Sequence, residues 1–347
     1  MAEVVIYRYG HRPSRDKRIT THVALTSRAM GADYMMVDTG DRALEENIKS
    51  VNRNFGGEFK VETGVSLNTF LNNITKEDTL IHLTMYGQPV EDRISEIKKK
   101  LNEDGRIFIF VGAEKVPGII YSKSNFNISI TNQPISEVSA LGLFLDRLKD
   151  GKELDLRLKG RLDILPQERG KNIEFYPDSK DCMEILLRHK CNEKLIEHSI
   201  AVQEVAMNIC AGIKCDKRIV NAASLLHDVG RTVDNGVKHS YEGYIICKRE
   251  KISDKVSSAV LKHTGAGITR EESKKLFLPD LDYMPETLEE KIVACADNLI
   301  KGDERVDIFD QIKRYEEKGL KEPAGRILEL YKFISQEAGF DINLIEI

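Results

Sequence analysis

The pattern of apolar residues changes character near residue 178, and this change constrains the fold of the 347-residue chain more than any other feature. Before it, short apolar runs alternate with helix-like stretches. After it, the strand signals disappear and only helical periodicity is left. Because a chain of this length exceeds the usual size of one hydrophobic core, two domains are expected. The sequence therefore predicts a first domain over residues 1–178 and a second over residues 179–347.

The first half is predicted to be an α/β domain, since strands that alternate with helices favour a mostly parallel sheet covered on both faces. The predicted strands are residues 4–9, 34–37, 79–83, 106–111 and 127–131. The predicted helices are residues 41–51, 66–71, 94–101 and 134–148. Short extended pieces over residues 151–177 indicate a small β appendage, which we expect to complete this domain.

The second half is predicted to be all-α, with helices over residues 194–211, 217–227, 240–250, 254–263, 287–301 and 326–338. All six cysteines lie in this half without a CxxC pair, and we expect buried thiols rather than disulfides. The chain has no run of eighteen apolar residues, and arginines occupy the positions where a signal peptide needs its apolar stretch. The expectation is a cytoplasmic protein without a membrane span.

A basic segment follows the first predicted strand. Arg8, Arg12, Arg15 and Arg18 are accompanied by a single acid, Asp16. The net charge of −4 argues against a wholly basic nucleic-acid coat but allows such a local patch. Because guanidinium groups suit phosphate recognition, the segment predicts contact with an RNA backbone. A solvated charged loop is the alternative.

Three turns that contain glycine or polar residues follow the later predicted strands, over residues 82–87, 110–118 and 130–137. Ligands of α/β proteins bind at the carboxyl ends of parallel strands. None of the three turns has the pattern of a P-loop or of a dinucleotide-binding turn. Together they indicate a ligand pocket of another kind.

A resemblance to a known family rests on four segments of the first half, RPSRDKRITTHVALTSRAMGA, LIHLTMYG, FVGAEKVPGIIY and NQPISEVSALGLFLDRL. Over roughly residues 3–175 the chain resembles the archaeal tRNA cytidine 2′-O-methyltransferases of the SPOUT superfamily. The resemblance implies a sheet with a deep trefoil knot, a homodimer formed through this domain, and S-adenosylmethionine bound in the knot by the three turns. It also implies methylation of cytidine 56 in the T-loop of tRNA.

The resemblance further implies Arg28 and Ser136 as catalytic residues. Because a free arginine is too basic to accept a proton at neutral pH, we expect Arg28 to bind a tRNA phosphate and to orient or relay the proton of the ribose hydroxyl through it. A structural ion pair is the alternative for Arg28. Glu137 and Val138 follow the serine where the wider superfamily has Leu-Asn, which leaves the roles of Ser136 and Glu137 open. The residues implied for the cofactor are Leu83, Thr84, Tyr86, Gly87, Val111, Gly112, Ala113, Val116, Ile130, Asn132, Gln133, Ile135, Ser136 and Val138.

The second half contains six possible metal ligands: His198, His227, Asp228, His239, His263 and Asp297. Imidazole and carboxylate together suit Mn, Fe, Ni, Zn or Mg rather than a thiolate structural site. Their order resembles that of the HD phosphohydrolase superfamily over roughly residues 181–339. The resemblance implies one divalent ion on His198, His227, Asp228 and Asp297, and a second that uses His239 and His263, with Arg231 near a bound phosphate. A metal site that only stabilises the fold is the alternative.

These patterns predict a fused enzyme, a tRNA ribose methyltransferase followed by a metal-dependent phosphohydrolase. A second possibility is a phosphohydrolase for small nucleotides whose first domain binds RNA without catalysis. A third is a tRNA-binding protein with no catalysis in either half.

Overall fold

The computed structural model describes residues 2–113 and 115–345, in two compact units, Met1–Gly160 and Arg161–Ile347. A parallel sheet of six strands organises the first unit, in the order β3-β2-β1-β5-β4-β6. The strands are β1 (Glu3–Tyr9), β2 (Tyr34–Val37), β3 (Lys60–Thr63), β4 (Thr79–Pro89), β5 (Arg106–Gly112) and β6 (Phe126–Ser129). Neighbouring strands of this sheet pair in parallel, which confirms the predicted fold class. The knot stays a prediction.

Helices cover both faces of this sheet. They are α1 (Lys17–Ala29), α2 (Arg42–Phe55), α3 (Leu67–Asn72), α4 (Val90–Lys100), α5 (Gly118–Lys123) and α6 (Glu137–Lys149). Along β1, Val4 and Ile6 pack into the core that includes α6, whereas Val5 and Tyr7 pack into the core on the opposite face. Because successive side chains of a strand point to opposite faces, a strand covered on both sides is apolar throughout.

Helix α6 begins three residues later than its apolar stripe predicts. Pro134 was expected inside the helix, but the helix starts at Glu137. Ser136 has an extended backbone, and its Oγ accepts a hydrogen bond of 3.2 Å from the backbone N–H of Val138. A serine in this position satisfies a free N–H of the first helical turn. The helix therefore starts after the serine, and residues 134–136 belong to a turn.

The second unit is built from helices, which confirms its predicted class. They are α7 (Ser179–Arg188), α8 (Glu193–Gly212), α9 (Lys217–Leu226), α10 (His239–Arg249), α11 (Asp254–Lys262), α12 (Arg270–Lys275), α13 (Leu288–Asn298), α14 (Ile308–Glu317) and α15 (Lys321–Ala338). A hairpin of two short strands, β9 (Ile300–Lys301) and β10 (Glu304–Arg305), lies between α13 and α14. All six cysteines are free thiols, and five are buried. Within the described residues, no helix combines the length and the apolar surface that crossing a bilayer requires.

The predicted β appendage is a hairpin of β7 (Leu162–Ile164) and β8 (Ile173–Phe175). It packs on the helical unit, because Arg218 forms ion pairs of 2.8 and 3.0 Å with the carboxylate of Asp163 and stacks on Tyr176. The backbone N–H of Ser253 also donates to the carbonyl of Phe175. The compact second unit accordingly begins at Arg161, and a domain boundary at residue 178 stays a prediction.

Candidate functional site

The first of the three predicted turns is a bulge in β4. This strand pairs with β6 as far as Leu83 and again from Gln88, so residues 84–87 project from the sheet. The bulge requires glycine at position 87, because a Cβ there would lie 2.6 Å from backbone atoms of Asn127 and Ile128. The side chain of Tyr86 is 77% exposed. The turn therefore presents an aromatic ring at the carboxyl edge of the sheet.

Asn132 ties the third turn to the first. Its Nδ2 donates hydrogen bonds of 2.7 Å to the carbonyl of Met85 and 3.3 Å to that of Gly87. The second turn follows β5, which neighbours β4 in the sheet. Because the strands are parallel, the structure places all three turns at one edge. The residues predicted for the cofactor therefore lie there together, namely Leu83, Thr84, Tyr86, Gly87, Val111, Gly112, Ala113, Val116, Ile130, Asn132, Gln133, Ile135, Ser136 and Val138.

The basic segment reaches the same edge, since it follows the carboxyl end of β1. Arg15 and Arg18 are exposed, and Arg12 is half-buried with its guanidinium 2.7 Å from the carboxylate of Asp16. These three side chains are accessible to a polyanion. Arg8 is not, because it is fully buried on the α6 face of β1. The expectation that Arg8 contacts RNA is therefore wrong for this conformation.

Arg8 instead pairs with Glu137 in the first turn of α6, at 2.9 Å. The Nε and Nη1 atoms of Arg8 are buried without a hydrogen-bond partner among the described residues. Desolvating a charged group is costly unless it is paired, so this ion pair is the contact that compensates for burial. It holds the Glu137 carboxylate, which is 25% exposed, beside the third turn. Sequence reasoning named Glu137 without a role, and the structure supplies this contact.

Arg28 lies at the opposite edge of the sheet. It precedes Gly31 at the end of α1, where the Asp33 carboxylate accepts a hydrogen bond from the backbone N–H of Val4 at the beginning of β1. A seven-residue strand separates this point from the turns, a span of about 20 Å. The guanidinium is buried and donates to Asn52 Oδ1 and to the carbonyl of Gly56. Burial also lowers the pKa of Arg28.

This geometry argues against a catalytic Arg28 within one chain, and the catalytic role stays a prediction. Within one chain, its guanidinium does not face the turns, and its contacts join α1 to the end of α2. These contacts are structural, but they are hydrogen bonds to neutral oxygens and not the ion pair named as the alternative. The catalytic role predicted for Ser136 remains a prediction, since its exposed Oγ lies at the turn edge but also caps α6.

In the helical unit, the six predicted ligands lie together in one cluster. His198 projects from α8, His227 and Asp228 follow α9, His239 begins α10, His263 follows α11, and Asp297 lies in α13. Gly230 allows this assembly, because a Cβ there would lie 2.0 Å from the carbonyl oxygen of His239. The close approach brings the beginning of α10 against the segment that carries Asp228.

The four imidazoles share one tautomer. Each Nδ1 lies 2.6 or 2.7 Å from a backbone carbonyl oxygen, that of Gly302, Ser224, Gly236 or Val260. A carbonyl only accepts, so each Nδ1 carries the proton and each Nε2 is left with a lone pair for a proton or a cation. This orientation by a hydrogen bond on the outer nitrogen is typical of histidines that bind metals.

Asp228 joins two subsites. Its Oδ2 lies 3.6 Å from Nε2 of both His198 and His227, and Asp297 Oδ1 lies 3.2 and 3.5 Å from the same two atoms. The other oxygen of Asp228, Oδ1, lies 3.2 Å from Nε2 of His239 and 3.5 Å from Nε2 of His263. The donors therefore form two sets with a shared carboxylate, as the predicted pair of divalent ions requires.

The charges of the cluster agree with this assignment. Burial raises the pKa of Asp228, but His227, His239 and His263 outweigh this effect and hold the pKa well below its usual value. Burial disfavours charge on His227, yet Asp228 and Asp297 raise its pKa to about 9. A protonated His227 stands in for a cation here, and a bound ion replaces that proton. The donor set of imidazole and carboxylate fits Mn, Fe, Ni, Zn or Mg.

A cavity of about 410 Å³ lies against His198 and Asp228. Arg231 also lines it, and its Nε donates to Asp228. The predicted place of Arg231 beside a phosphate thus corresponds to a cavity next to the ligand cluster. Sequence reasoning missed Lys190 and Lys194, which lie on the same cavity.

Comparison with known proteins finds one family match in each half of the chain. Residues 55–174 match the family described as tRNA ribose 2′-O-methyltransferase, aTrm56, and residues 195–302 match the HD domain. A protein of Thermoplasma volcanium named tRNA (cytidine(56)-2′-O)-methyltransferase is 46% identical, with 99% of this chain and 100% of its own length covered. The chain belongs to the tRNA (cytidine(56)-2′-O)-methyltransferase family.

Other members of the tRNA (cytidine(56)-2′-O)-methyltransferase family differ in length. The protein of that name from Picrophilus torridus is 46% identical over 98% of both chains. The one from Thermococcus kodakarensis is 44% identical over 49% of this chain and 96% of its own length. The aTrm56 match contains the three turns, and the HD match contains all six ligands. This member of the family therefore carries an HD domain in addition to its methyltransferase domain.

Proposed function

We propose that this chain transfers a methyl group from S-adenosylmethionine to the 2′-hydroxyl of cytidine 56 in tRNA. The proposal rests on full-length similarity to relatives named for this reaction, together with the three turns at one sheet edge. S-adenosylmethionine, when bound, supplies the methyl group as a sulfonium. A tRNA substrate supports the cytoplasmic location that the sequence predicts.

Different side chains at this edge are proposed to bind the tRNA, to position the cofactor and to accept the proton. Asn132 fixes the third turn on the first, so that the cofactor meets a preformed surface. The exposed Arg15 and Arg18 attract the tRNA backbone. Glu137, held by Arg8, is a carboxylate beside the third turn and suits acceptance of the hydroxyl proton better than an arginine does. Ser136 remains the proposed neighbour of the ribose.

Homodimer formation through the methyltransferase domain is part of the same proposal. Leu143 on α6 and Ile119 on α5 are 44% and 45% exposed, respectively, which supports burial against a second copy. Sedimentation analysis of the full chain tests this, with a monomer at working concentration as the result that contradicts it.

The decisive experiment is mass mapping of ribose methylation on an unmodified tRNA transcript incubated with protein and S-adenosylmethionine. The expected product carries one methyl group on cytidine 56, and a transcript with uridine at that position serves as the matched control. Absence of methylation, with phosphate release retained, favours the alternative of an RNA-binding first domain. Absence of both activities favours a tRNA-binding protein.

We propose that the HD domain is a metal-dependent phosphohydrolase with two divalent ions. The supporting observation is that four Nε2 lone pairs and two carboxylates converge on two subsites joined by Asp228. Bound ions would activate water and neutralise phosphate charge. Arg231 lies beside the cluster, where it would hold a phosphate oxygen and orient Asp228.

This second proposal is tested by metal analysis and phosphate release. Purified full-length protein loaded with Mn is expected to retain up to two ions per chain and to release phosphate from a phosphoester or phosphoanhydride. Nucleoside 2′,3′-cyclic phosphates, dinucleoside polyphosphates and p-nitrophenyl phosphate cover the main ester classes. Bound metal without hydrolysis of any of them supports the alternative, a site that only stabilises the fold.

A further inference from the structure

The cavity beside the metal centre has a cationic lining. His198 and Asp228 belong to its wall, so a ligand inside it lies next to the proposed ions. Leu195 is the single apolar side chain among the described residues that line it, and none of them is Phe, Tyr or Trp. The described lining therefore combines charged and polar side chains with some apolar surface, and it offers no Phe, Tyr or Trp ring on which a nucleobase stacks.

Two lysines of this lining have no acidic partner. Lys190 and Lys194 are exposed, and neither side chain forms an ion pair or hydrogen bond within the described part of the chain. Asp228 is the one acid among the described lining residues, and it is engaged by Arg231 and the imidazoles. Two unpaired cations beside a metal site favour a ligand that carries more negative charge than a single phosphate group.

Lys190 occupies a helix-end position where the backbone is left-handed. Lys190 has a φ of +59° and follows the C-terminal cap of α7. Helices commonly end with a left-handed residue at this position, usually glycine, because a Cβ disfavours that conformation. Lys251 has the same conformation after the C-terminal cap of α10 and does not line the cavity, so the support for a ligand comes from the position and charge of Lys190 and not from its backbone.

We propose that this cavity binds a chain of at least two phosphoryl groups, with the terminal group at the metal centre and the next held by Lys190 and Lys194. The proposal rests on the phosphohydrolase function inferred for the HD domain and names its substrate class, a phosphoanhydride. In the reaction, water adds to the terminal phosphorus and the anhydride P–O bond breaks. The shortened phosphate chain leaves with the electron pair of that bond, and the proton of the water passes to solvent.

A small phosphoanhydride fits the cavity better than an RNA strand does. A volume of about 410 Å³ is at the lower end of the range for small-molecule sites. Sites for single-stranded nucleic acid combine positive charge with aromatic side chains on which bases stack. The described lining supplies the charge without the aromatic side chains.

Isothermal titration of the full-length, chelator-treated protein tests binding without turnover. Inorganic tripolyphosphate is expected to bind at least about tenfold more tightly than orthophosphate, since charge-assisted contacts to a second phosphoryl group add to the first. The double variant Lys190→Ala/Lys194→Ala should lose about tenfold or more of the tripolyphosphate affinity. Lys214→Ala, an exposed lysine of the same unit outside the cavity lining, is the matched control and should bind like the unmodified chain.

Two binding results overturn the inference. One is equal affinity for orthophosphate and tripolyphosphate, and the other is a double variant that keeps its tripolyphosphate affinity while its thermal unfolding is unchanged.

A short single-stranded RNA is titrated in parallel. If the double variant loses affinity for the RNA alone, the lysines serve an RNA strand and the inference is wrong. ATP against tripolyphosphate distinguishes a nucleotide tail from an inorganic chain, and tighter ATP binding assigns the nucleotide.

Phosphate release from the Mn-loaded chain separates this inference from the function on which it depends. Hydrolysis of p-nitrophenyl phosphate without faster cleavage of tripolyphosphate or ATP leaves the phosphohydrolase proposal intact and overturns the phosphoanhydride assignment. Tripolyphosphate binding through the two lysines with no phosphate released from any substrate supports the binding site and overturns the phosphohydrolase proposal.

Discussion

In the helical unit, six proposed ligand side chains come from five helices or the residues directly after them. Each lies within 3.6 Å of another member of the cluster, and each imidazole is oriented by a backbone carbonyl. At the proposed methyl-transfer edge of the sheet, Tyr86, Asn132 and Ser136 are exposed, and Arg28 lies about 20 Å away within one chain. The metal centre is thus organised by its own contacts before any ligand arrives. The proposed methyl-transfer edge is instead expected to be completed by groups outside a single chain: the cofactor, the tRNA and the second copy of the proposed homodimer. The contrast teaches that a buried site can be tested one residue at a time, whereas an open site must be tested together with its ligands.

The strongest test of this contrast is Asp228→Ala, because Asp228 contacts both halves of the metal cluster. We expect the protein to lose both ions and phosphate release to fall at least about 100-fold, with methyl transfer unchanged. Metal analysis by mass spectrometry and phosphate assays measure this. His189→Ala is the matched control, since His189 bonds Glu250 instead of the cluster. Retention of two ions in Asp228→Ala would show that the cluster is not the metal centre.

Arg28→Ala tests whether that side chain belongs to the site or to the fold. Loss of its buried contacts with Asn52 and Gly56 should lower the free energy of unfolding by about 2–3 kcal/mol. Urea denaturation measures the change. Arg18→Ala is the contrasting variant, because Arg18 is exposed and should leave stability unchanged while it weakens tRNA binding. An Arg28→Ala protein of full stability without methyl transfer would restore the catalytic role.

Acid should weaken the sheet unit through Asp78. Burial raises the pKa of Asp78, but hydrogen bonds from Arg106 and from backbone N–H groups outweigh it and lower the pKa to about 2. A depressed pKa stabilises the fold above the unfolded value of 3.8, and this stability is lost as pH falls through 2. The expected contribution is about 2 kcal/mol. Urea titrations at pH 5 and pH 2.5 should show a smaller difference in Asp78→Asn than in the unmodified chain, and an equal difference would exclude this carboxylate as the cause.

Asn132→Ala probes how far the open edge is preorganised. Without the amide bonds to Met85 and Gly87, the third turn loses its link to the first. We expect S-adenosylmethionine affinity to fall about fivefold, the equivalent of about 1 kcal/mol. Equilibrium binding measures this, with the exposed Asn102→Ala as the control. Unchanged affinity would mean that the cofactor itself orders the turns.

The smallest expected effect is a gain in stability from Lys190→Gly. Glycine adopts a φ of +59° without the penalty of a Cβ, which should raise the free energy of unfolding by about 0.5 kcal/mol. The same change should weaken tripolyphosphate binding, measured by titration. A variant that gains stability and keeps its affinity would leave Lys190 without a functional role.

The sequence predicts the metal centre better than the methyl-transfer edge for a physical reason. Residues such as His227 and Asp228 can be recognised in the sequence by their type, since imidazole and carboxylate suit metals, and by their place at the end of a helix. The motif was therefore enough to predict that they belong to one cluster. The burial of Arg8 was missed because arginine is usually exposed. Its alternation with Val4 and Ile6 along β1 is a signal that could have revealed its inward direction.

Arg28 shows the same limit on a helix. Its positions relative to Val23, Ala24 and Ser27 follow the buried face of α1, yet its motif suggested catalysis. Lys190 and Lys194 carry no periodic or chemical signature in the sequence. In the sequence they cannot be distinguished from other surface lysines. The structure identifies them, because both line the cavity beside the metal cluster.

The hairpin that precedes the helices has a practical consequence for preparing the HD domain on its own. A truncation that begins at residue 179 removes Asp163 and Tyr176, so Arg218 keeps its ion pair with Asp216 but loses the one with Asp163 and the ring on which it stacks. It also uncovers the part of the core that Tyr176 closes. An expression fragment that begins at Arg161 keeps these contacts, and is the better starting point for crystallising or assaying the isolated domain.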